Sequence, residues 1–277
     1  MRRSPAWLRG TSLPVVLCVC SVGCAGVAAP AHPFRDPGQA LLAQQSARAA
    51  LRSLQAEARV DQRGQQGRIK GTVLMFVQRP ASVRFDAMTQ FGPAAILTSD
   101  GERFAYADMR SKRFLTGATC AKNVARLLNL PLDVRQTTLL LLGGTPVIDH
   151  QRERIVWDHD GFYRLVLVAD DGRRQEIDLA PADPQAQPAA QALRLKRSEV
   201  YDAKGRSTVR IDYDGYRVLR SRDAKIAMPF LVHVSQSRLG RDTLIRFKEI
   251  TLDVEVPAGA FAQEPLPGMQ QEEASCD

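Results

Sequence analysis

The sequence predicts an α+β fold that combines a long series of antiparallel strands with a few helices. Apolar and polar residues alternate along most of the chain after Gly64, as in strands that have one buried and one exposed face. Asp-Gly and similar turn pairs separate these segments at short intervals, which is typical of hairpins. Three other stretches have helical spacing of apolar residues. We therefore expect about 10–11 strands and three helices.

The first 23 residues have the features of an export signal. Arg2, Arg3 and Arg9 give a basic start, and an apolar run from Leu13 to Val22 follows. This run is shorter than the roughly 20 residues that a helix needs to cross a bilayer. The pattern therefore predicts a lipoprotein signal peptide over residues 1–23 rather than a membrane-spanning helix.

A cysteine, Cys24, follows the small residue Gly23 at the end of the apolar run. This arrangement resembles a bacterial lipobox, which implies that Cys24 is diacylated and becomes the first residue of the mature chain. Several acyl chains would hold the protein durably at a membrane, since a single chain binds only marginally. Ala25 follows the cysteine where an aspartate would signal inner-membrane retention, so the pattern resembles that of outer-membrane lipoproteins. Ordinary cleavage after Ala25 or Ala29, with soluble export, is the alternative.

Composition narrows the classes of function. The net charge of +8 falls to +5 once residues 1–23, with three arginines and no acid, are removed. Lysines and arginines are dispersed and no zinc-finger spacing or basic helix is present, so we expect no nucleic acid partner. The sequence also lacks the Gly-x-Ser-x-Gly, His-Glu-x-x-His and phosphate-binding glycine motifs. We therefore expect neither an enzyme, nor a cofactor, nor a metal site.

A tether and a helix precede the predicted strands. Residues 24–36 lack periodicity, which favours a flexible tether. Asp36 and Pro37 then combine a capping side chain with a proline in the first turn, the usual start of a helix. From there to Ala58 the chain is rich in Ala, Gln, Leu and Arg, with apolar residues at helical spacing. We predict one amphipathic helix over this whole stretch.

Five strands are predicted between Arg68 and Thr116, joined by short turns. The alternation is clearest after Pro80, where Val83 and Phe85 share one face and polar residues share the other. This pattern indicates an antiparallel meander with one face in water. The predicted segments are Arg68–Gln78, Ser82–Met88, Pro93–Thr98, Arg103–Tyr106 and Lys112–Thr116.

Helical spacing returns in two segments before the second group of strands. Thr119–Asn129 contains Leu127 and Leu128, and Leu132–Leu142 ends at a pair of glycines. The run of leucines from Leu139 is apolar on all sides. This second helix should therefore be buried or line an apolar cavity.

Strands resume at Arg154–Trp157 and Phe162–Val168, and further alternating segments up to Val256 complete the predicted sheet. A polar loop rich in Pro and Ala covers Ala182–Ala190. The acidic tail, residues 271–277, is predicted to be disordered. The folded domain is therefore expected to span residues 37–270.

Two cysteines, Cys120 and Cys276, remain beside Cys24 in the exported chain. In an oxidising compartment the two could form a disulfide that closes a long loop. The sequence does not show whether they meet, so a paired and a free form both stay open.

The order of these elements resembles that of the LolA/LolB superfamily of periplasmic lipoprotein-localisation factors. The resemblance covers most of residues 37–270. It rests on a helix before a strand, a loop with a protruding apolar residue, a leucine-rich helix closed by glycine, and a similar C-terminal ending. The corresponding segments are Gly67-Arg68-Ile69, Met88–Pro93, Ala125–Leu132, Ala227-Met228-Pro229, Ala260-Phe261 and Pro265–Gly268.

The resemblance implies a strongly curved antiparallel half-barrel whose helices cover an apolar cavity on the concave side. Such a cavity would hold acyl chains, because burial of apolar surface contributes about 25 cal/mol per Å². The pattern alone also allows these side chains to fill a closed core. The residues expected to line the cavity are Val83, Phe85, Leu127, Leu128, Leu139 and Leu142.

Phe91 stands beside the polar Gln90 and a Gly-Pro turn, where a core residue is not expected. The resemblance assigns this position to a membrane-insertion loop, in which an apolar side chain enters the lipid. The alternative is that Phe91 folds back and caps the edge of the sheet.

These expectations describe a monomeric lipoprotein on the periplasmic face of the outer membrane, anchored to the membrane surface through Cys24. It would bind lipid or lipoprotein acyl chains and help to receive or insert lipoproteins or lipids. The resemblance implies a LolA-like periplasmic carrier as partner, and no cofactor. The alternative is a structural or sensory envelope lipoprotein that uses the same fold, with a filled cavity, to bind a protein partner.

Overall fold

The computed structural model describes residues 27–64, 67–187, 192–222 and 224–276. The helices in these residues are α1 Pro37–Ala49, α2 Ala121–Leu128 and α3 Val134–Leu141. The strands of the first half are β1 Ser53–Gly64, β2 Gly67–Gln78, β3 Ser82–Thr89, β4 Gly92–Ser99, β5 Arg103–Asp108 and β6 Arg113–Ala118. The later strands are β7 Arg152–Asp158, β8 Phe162–Val168, β9 Arg174–Pro181, β10 Leu193–Tyr201, β11 Ser207–Asp214, β12 Arg217–Arg220, β13 Lys225–Met228, β14 Leu231–Gln236, β15 Arg241–Leu252 and β16 Gln270–Glu273.

Fourteen of the described strands form one large, curved sheet, in the order β16-β6-β5-β4-β3-β2-β1-β15-β14-β11-β10-β9-β8-β7. Neighbouring strands are antiparallel except β16, which runs parallel to β6. The sheet is open, with β16 and β7 at its edges, and β12 and β13 form a separate hairpin. The predicted large, curved antiparallel sheet with a few helices is confirmed; the described chain is mostly β, and the expected number of about 10–11 strands is too low.

The helices lie on one face of the sheet and enclose the main core. α1 contacts β7 and β10, α2 contacts β4, and α3 contacts β2 and β3. Apolar side chains of the sheet, such as Phe85 and Leu165, are fully buried together with Leu128 and Leu141 of the helices. The core is therefore shared by the sheet and all the helices that cover it. None of the described helices is long and apolar enough to cross a bilayer.

The predicted helix from Pro37 to Ala58 is wrong in its second part. The helix ends at Ala49, and Ser53 begins β1, which pairs with both β2 and β15. Along β1 the buried residues alternate with exposed or half-buried ones. A spacing of four residues, as between Leu54 and Ala58, fits one helical face and one strand face equally well. Long-range pairing with two strands decides in favour of the strand.

The remaining predicted segments of the first half are confirmed. The five strands between Arg68 and Thr116 and the two helices that follow are present, and their ends differ from the prediction by at most about two residues. The strands that the sequence did not predict are β1, β12, β13 and β16. Three of these have only four residues each, too few for an alternating pattern to stand out.

The acidic tail packs on the sheet in the part that the structure describes, residues 271–276, whereas residues 271–277 were predicted to be disordered. Gln270–Glu273 pairs with β6, and a salt bridge of 2.5 Å joins Glu272 to Arg113. Beyond the strand, Cys276 forms a disulfide with Cys120, and their Cα atoms are 6.1 Å apart. The acidic composition correctly predicted that the side chains of Gln270–Glu273 are exposed. It did not reveal that the backbone of this segment pairs with the free edge of β6.

The predicted flexible tether is packed in the part that the structure describes. The Val27 N–H donates to the carbonyl oxygen of His159 (2.8 Å), and the Trp157 Nε1–H donates to the Val27 carbonyl (3.0 Å). Phe34 is buried edge-on against Tyr163, with ring centroids 5.5 Å apart. Aromatic residues of β7 and β8 supply these contacts. A segment without periodic apolar residues can still pack in this way, so the sequence pattern did not reveal it. The predicted signal peptide and Cys24 lie outside the described residues.

Antiparallel pairing divides the turns between two ends of the sheet. The turns β2–β3 and β7–β8 and the end of β15 lie at one end, here called the Val27 end because Val27 binds the β7–β8 turn. The turns β3–β4 and β14–β15 lie at the other, here called the Phe91 end. α1 runs from the β8 residue Tyr163 to the start of β1, so it lies along the Val27 end.

Candidate functional site

The residues predicted to line a cavity meet in the core, but they pack against one another. Val83, Phe85, Leu128 and Leu142 are at most 1% exposed, Leu127 is 8% exposed, and all belong to the same cluster. None of the clefts described below is lined by any of them. In this state of the protein the concave side is therefore filled by the leucines of α2 and α3.

Leu139, the sixth of these residues, is only half-buried and lines a cleft of about 380 Å³ beside α3. A second cleft, of about 320 Å³, adjoins it and shares the residues Gln136, Pro146 and Val147. The two clefts together, here called the α3 groove, follow the side of α3 where it faces the segment 145–149. Volumes of this size are typical of small-molecule sites.

Apolar and polar side chains both line the second cleft of the α3 groove, and the polar ones include Asp149, Arg173 and Gln175. One wall carries Leu132 and Ile148, and the opposite wall is formed by Val200 of β10 together with Val209 and Ile211 of β11. The groove therefore opens between the helical cover and the concave face of the sheet. An elongated apolar ligand that enters there would reach the interior along α3.

Gln175 holds the rim of the α3 groove in place, and sequence analysis did not identify it. This buried side chain accepts from the Ile148 N–H (2.9 Å) and donates to the Pro146 carbonyl (2.8 Å) and the Ser198 hydroxyl (2.9 Å). The segment 145–149 is thereby fastened to β9 and β10. The signal in the sequence was the apolar run from Pro146 to Ile148, which follows a helix and lies outside any strand.

α3 carries two polar groups that make its packed position less favourable. The hydroxyl groups of Thr137 and Thr138 are buried and have no hydrogen-bond partner in the described structure. An unsatisfied buried hydroxyl costs about 1–3 kcal/mol relative to a hydrated one. An apolar helix of the same shape would therefore pack more stably on the sheet than α3 does.

The C-terminal end of α3 is held by polar contacts. The Gly143 carbonyl accepts from the Gln44 side chain of α1 (3.4 Å), and the Gly144 carbonyl accepts from the Tyr213 hydroxyl (3.0 Å). Burial raises the pKa of the Tyr213 phenol, which keeps this donor protonated. α3 is therefore fastened at its end near the Val27 end of the sheet.

Arg48 connects α1 to the β12–β13 hairpin from within the core. Its guanidinium group donates to the Gln44 carbonyl (3.0 Å) and to the Ala227 carbonyl (2.6 Å), while its Nε has no partner in the described structure. Burial lowers the pKa of Arg48. Neutral carbonyls are its hydrogen-bond partners, so this buried cation fixes α1 without forming a salt bridge in the part of the chain described.

Phe91 is 91% exposed at the tip of the β3–β4 turn. The Thr89 hydroxyl donates to the Gly92 carbonyl (2.8 Å) and accepts from the Phe91 N–H (3.2 Å), so the turn itself holds the ring outward. Folding back onto the sheet edge, the alternative for Phe91, is excluded in this structure. Two further exposed apolar residues, Ile69 and Leu239, lie near neighbouring turns of the same end.

The described residues hold no group of three or more His, Cys, Asp or Glu side chains that could bind a metal ion. His150 instead bonds to the Ile148 carbonyl (2.9 Å) and faces Glu153 (3.2 Å) at the start of β7. The candidate site is a groove in which apolar side chains lie beside amide, hydroxyl and charged groups.

Several solved structures are similar to this chain in fold. A domain assigned to outer-membrane lipoprotein sorting from Vibrio parahaemolyticus is 11% identical, with a TM-score of 0.51, over 81% of this chain and 95% of that domain. A DUF1329 family protein from Desulfovibrio piger is 12% identical, with a TM-score of 0.55, over 81% and 95% of the two chains. A LolA superfamily protein from Nitrosomonas europaea is 10% identical, with a TM-score of 0.52, over 83% and 99%.

No protein-family model matches the chain, and no curated protein matches its sequence. At 10–12% identity the structural matches establish the fold alone. That fold is LolA/LolB-like, as the order of the sequence elements predicted.

Proposed function

We propose that this protein binds acyl chains between α3 and the concave face of its sheet, and that it thereby helps to receive or insert lipoproteins or lipids at the outer membrane. The observation that carries this proposal is the α3 groove, a cleft between α3 and the sheet whose lining includes leucine, isoleucine and valine side chains. The fold shared with a lipoprotein-sorting domain supports it.

Binding would require α3 to move from its packed position. Leu139 would make the first contact with an acyl chain, since it already lines the groove. Further entry would displace Leu140 and Leu141 from the core, and the acyl chain would replace their contacts. Each methylene that becomes buried contributes about 0.8 kcal/mol. The unsatisfied hydroxyls of Thr137 and Thr138 lower the cost of this movement.

The remaining parts of the proposal concern the anchor and the partner. Cys24 carries the acyl chains that hold a monomeric protein on the periplasmic face of the outer membrane. The exposed Phe91, with Ile69 and Leu239 near it at the same end of the sheet, contacts the apolar surface from which cargo arrives or into which it is inserted. A LolA-like periplasmic carrier would deliver the cargo, and the transfer needs no cofactor.

Binding of a fluorescent palmitate analogue tests the groove. We expect saturable binding by the mature chain with Cys24→Ser, and a loss of about fivefold or more in affinity for Leu139→Gln, because about 1 kcal/mol of apolar contact is removed. Leu42→Gln is the matched control: Leu42 is an exposed leucine on the outer face of α1. Absence of saturable binding, or equal effects of both substitutions, would contradict the proposal.

One observation favours the alternative, a structural or sensory lipoprotein with a filled cavity. Leu140, Leu141 and Leu142 are at most 1% exposed and pack tightly against the sheet. If the palmitate analogue does not bind while the protein is folded, this packed core is permanent. The protein would then act through its surface, by binding a protein partner in the envelope.

A further inference from the structure

A large basic cleft lies at the Val27 end of the sheet and shares Arg79 and Pro80 with the α3 groove. Its volume is about 740 Å³, and it is formed where β1 and β2 meet the end of β15. Three arginines line it. Arg52 directly precedes β1, Arg79 directly follows β2, and Arg222 lies in the turn between β12 and β13. Asp253 is the single carboxylate in the lining. The cleft therefore carries an excess of positive charge.

The carboxylate of Asp253 does not neutralise these arginines. It accepts from the backbone N–H of Arg52 (2.9 Å) and from the hydroxyl group of Ser221 (2.5 Å). Among the residues that the structure describes, none of the three guanidinium groups lies within salt-bridge distance of a carboxylate, although many arginines of the sheet do. Three cations thus face one cleft and keep their charge available.

Arg79 is positioned by the backbone. Its Nε–H donates to the Leu51 carbonyl (2.9 Å), and the side chain is half-buried. This contact leaves the terminal nitrogens of the guanidinium group available at the cleft. Arg52 and Arg222 are exposed on either side of it. Guanidinium groups bind phosphate oxygens in pairs of parallel hydrogen bonds, so a group of three arginines suits a phosphate better than a single carboxylate.

Apolar side chains next to the arginines indicate the kind of phosphate compound. Ala49, Pro80 and Val254 also line the cleft, beside the guanidinium groups. A free phosphate ion makes no use of such a surface, whereas the glycerol and first methylenes of a phospholipid would contact it. The lining therefore combines a site for a phosphate group with a site for the upper part of an acyl chain.

The position of the cleft points to the same ligand. Val27 is hydrogen-bonded at the β7–β8 turn of the same end, and α1 connects that side of the sheet to Arg52. Val27 is three residues after Cys24, so the chain between them reaches at most about 11 Å. If Cys24 is acylated, as proposed above, the anchoring bilayer lies close to this end. The charge and lining of the cleft do not depend on that acylation.

We infer that Arg52, Arg79 and Arg222 form a binding site for the phosphate group of phospholipids, by which the Val27 end of the protein rests on an anionic membrane surface. The site adjoins the α3 groove, because Arg79 and Pro80 line both. Its ligand is recognised by charge and by its phosphate, whereas the groove recognises apolar length.

Vesicle binding by the Cys24→Ser protein, which cannot be acylated, tests the site. The probes are phosphatidylcholine vesicles with and without phosphatidylglycerol, at physiological salt. We expect binding to the phosphatidylglycerol vesicles, and a loss of about tenfold or more in Arg52→Gln/Arg222→Gln. The control Arg110→Gln/Lys204→Gln removes two exposed charges at turns of the Phe91 end, and should change binding by no more than about twofold.

Three results would overturn the inference. The first is no binding by the unsubstituted protein. The second is an equal loss in both double variants, which indicates general charge attraction. The third is saturable binding of inorganic phosphate without vesicle binding, which assigns the cleft to a soluble ion. The palmitate analogue should bind equally to both double variants, so failure of this site and failure of the α3 groove are measured separately.

Discussion

At the scale of single residues, the two threonines of α3 weaken the packing of this helix on the sheet. Thr137 and Thr138 are buried on a helix whose other inward residues are leucines and a valine. Their unsatisfied hydroxyls destabilise the closed state without weakening any open state in which water can reach them. The same two residues therefore lower stability and, under the proposed function, ease access to the groove.

Thr137→Val and Thr138→Val test this role. Each substitution removes a buried hydroxyl and keeps a β-branched side chain, so we expect the free energy of unfolding to rise by about 1 kcal/mol. The closed state would be favoured by the same amount, and uptake of the palmitate analogue should slow about fivefold. Chemical denaturation and stopped-flow fluorescence measure the two effects.

Thr137→Ser is the control, since serine keeps the hydroxyl group. A valine variant that is less stable than the original would show that the hydroxyls make favourable interactions in the folded protein. If a valine variant is more stable but takes up the palmitate analogue at an unchanged rate, uptake does not depend on movement of α3.

At the scale of secondary-structure elements, β16 and the disulfide act as one unit on the edge of the sheet. β16 covers β6, Ala274 is buried behind it, and a Cβ on Gly117 would lie 2.4 Å from the Ala274 carbonyl oxygen. The tail is therefore fitted closely to β6 and leaves no room for a larger residue there.

Cys276→Ser tests the contribution of the disulfide. The bond joins residues 156 apart, and loss of a cross-link over so long a loop should lower the free energy of unfolding by about 2–4 kcal/mol. Hydrogen exchange should increase along Gln270–Glu273 while the centre of the sheet remains protected. Reductant should destabilise the original protein to the same level and leave Cys276→Ser unaffected. Equal stability with and without reductant would contradict this role.

The elements also show which parts of this fold can be predicted from sequence. Strands with an alternating face, such as Ser82–Thr89, and helices with a glycine end, such as Val134–Leu141, are specified locally and were predicted. β1 was not, because Leu54 and Ala58 fit both periods and only the pairing with β15 resolves them. The filling of the expected cavity was not predicted either. A leucine that lines a void and a leucine that fills it have the same spacing in the sequence, so the pattern does not distinguish them.

At the scale of the whole molecule, Val27 and Phe91 lie at opposite ends of the sheet. Val27, three residues after Cys24, binds the β7–β8 turn, whereas Phe91 is at the far end of β3. β3 has eight residues and spans about 26 Å. The reach from Val27 to Cys24 is shorter than this distance. We therefore expect Phe91 to point away from the bilayer that holds the anchor, toward arriving cargo.

Transfer of a lipoprotein from its periplasmic carrier tests this orientation. Phe91→Glu places a charge at the tip of an exposed loop, so we expect transfer to fall about tenfold or more with no change in the free energy of unfolding. Val218→Glu is the control, because Val218 is also exposed and apolar but lies in the β12–β13 hairpin. If transfer survives Phe91→Glu, or falls equally in both variants, the loop has no specific role.

The place of β15 in the sheet has a consequence for how the chain folds. β15 is the only described strand that joins the seven strands from β16 to β1 to the six from β14 to β7. Leu54 at the start of β1 pairs with Leu252, about 200 residues later. Contacts of such long range form slowly, and an unpaired strand edge promotes aggregation meanwhile. During synthesis or export from the N-terminus, the two halves of the sheet stay unconnected until the last strands emerge. We therefore expect the yield of folded protein to depend on chaperone protection over that interval.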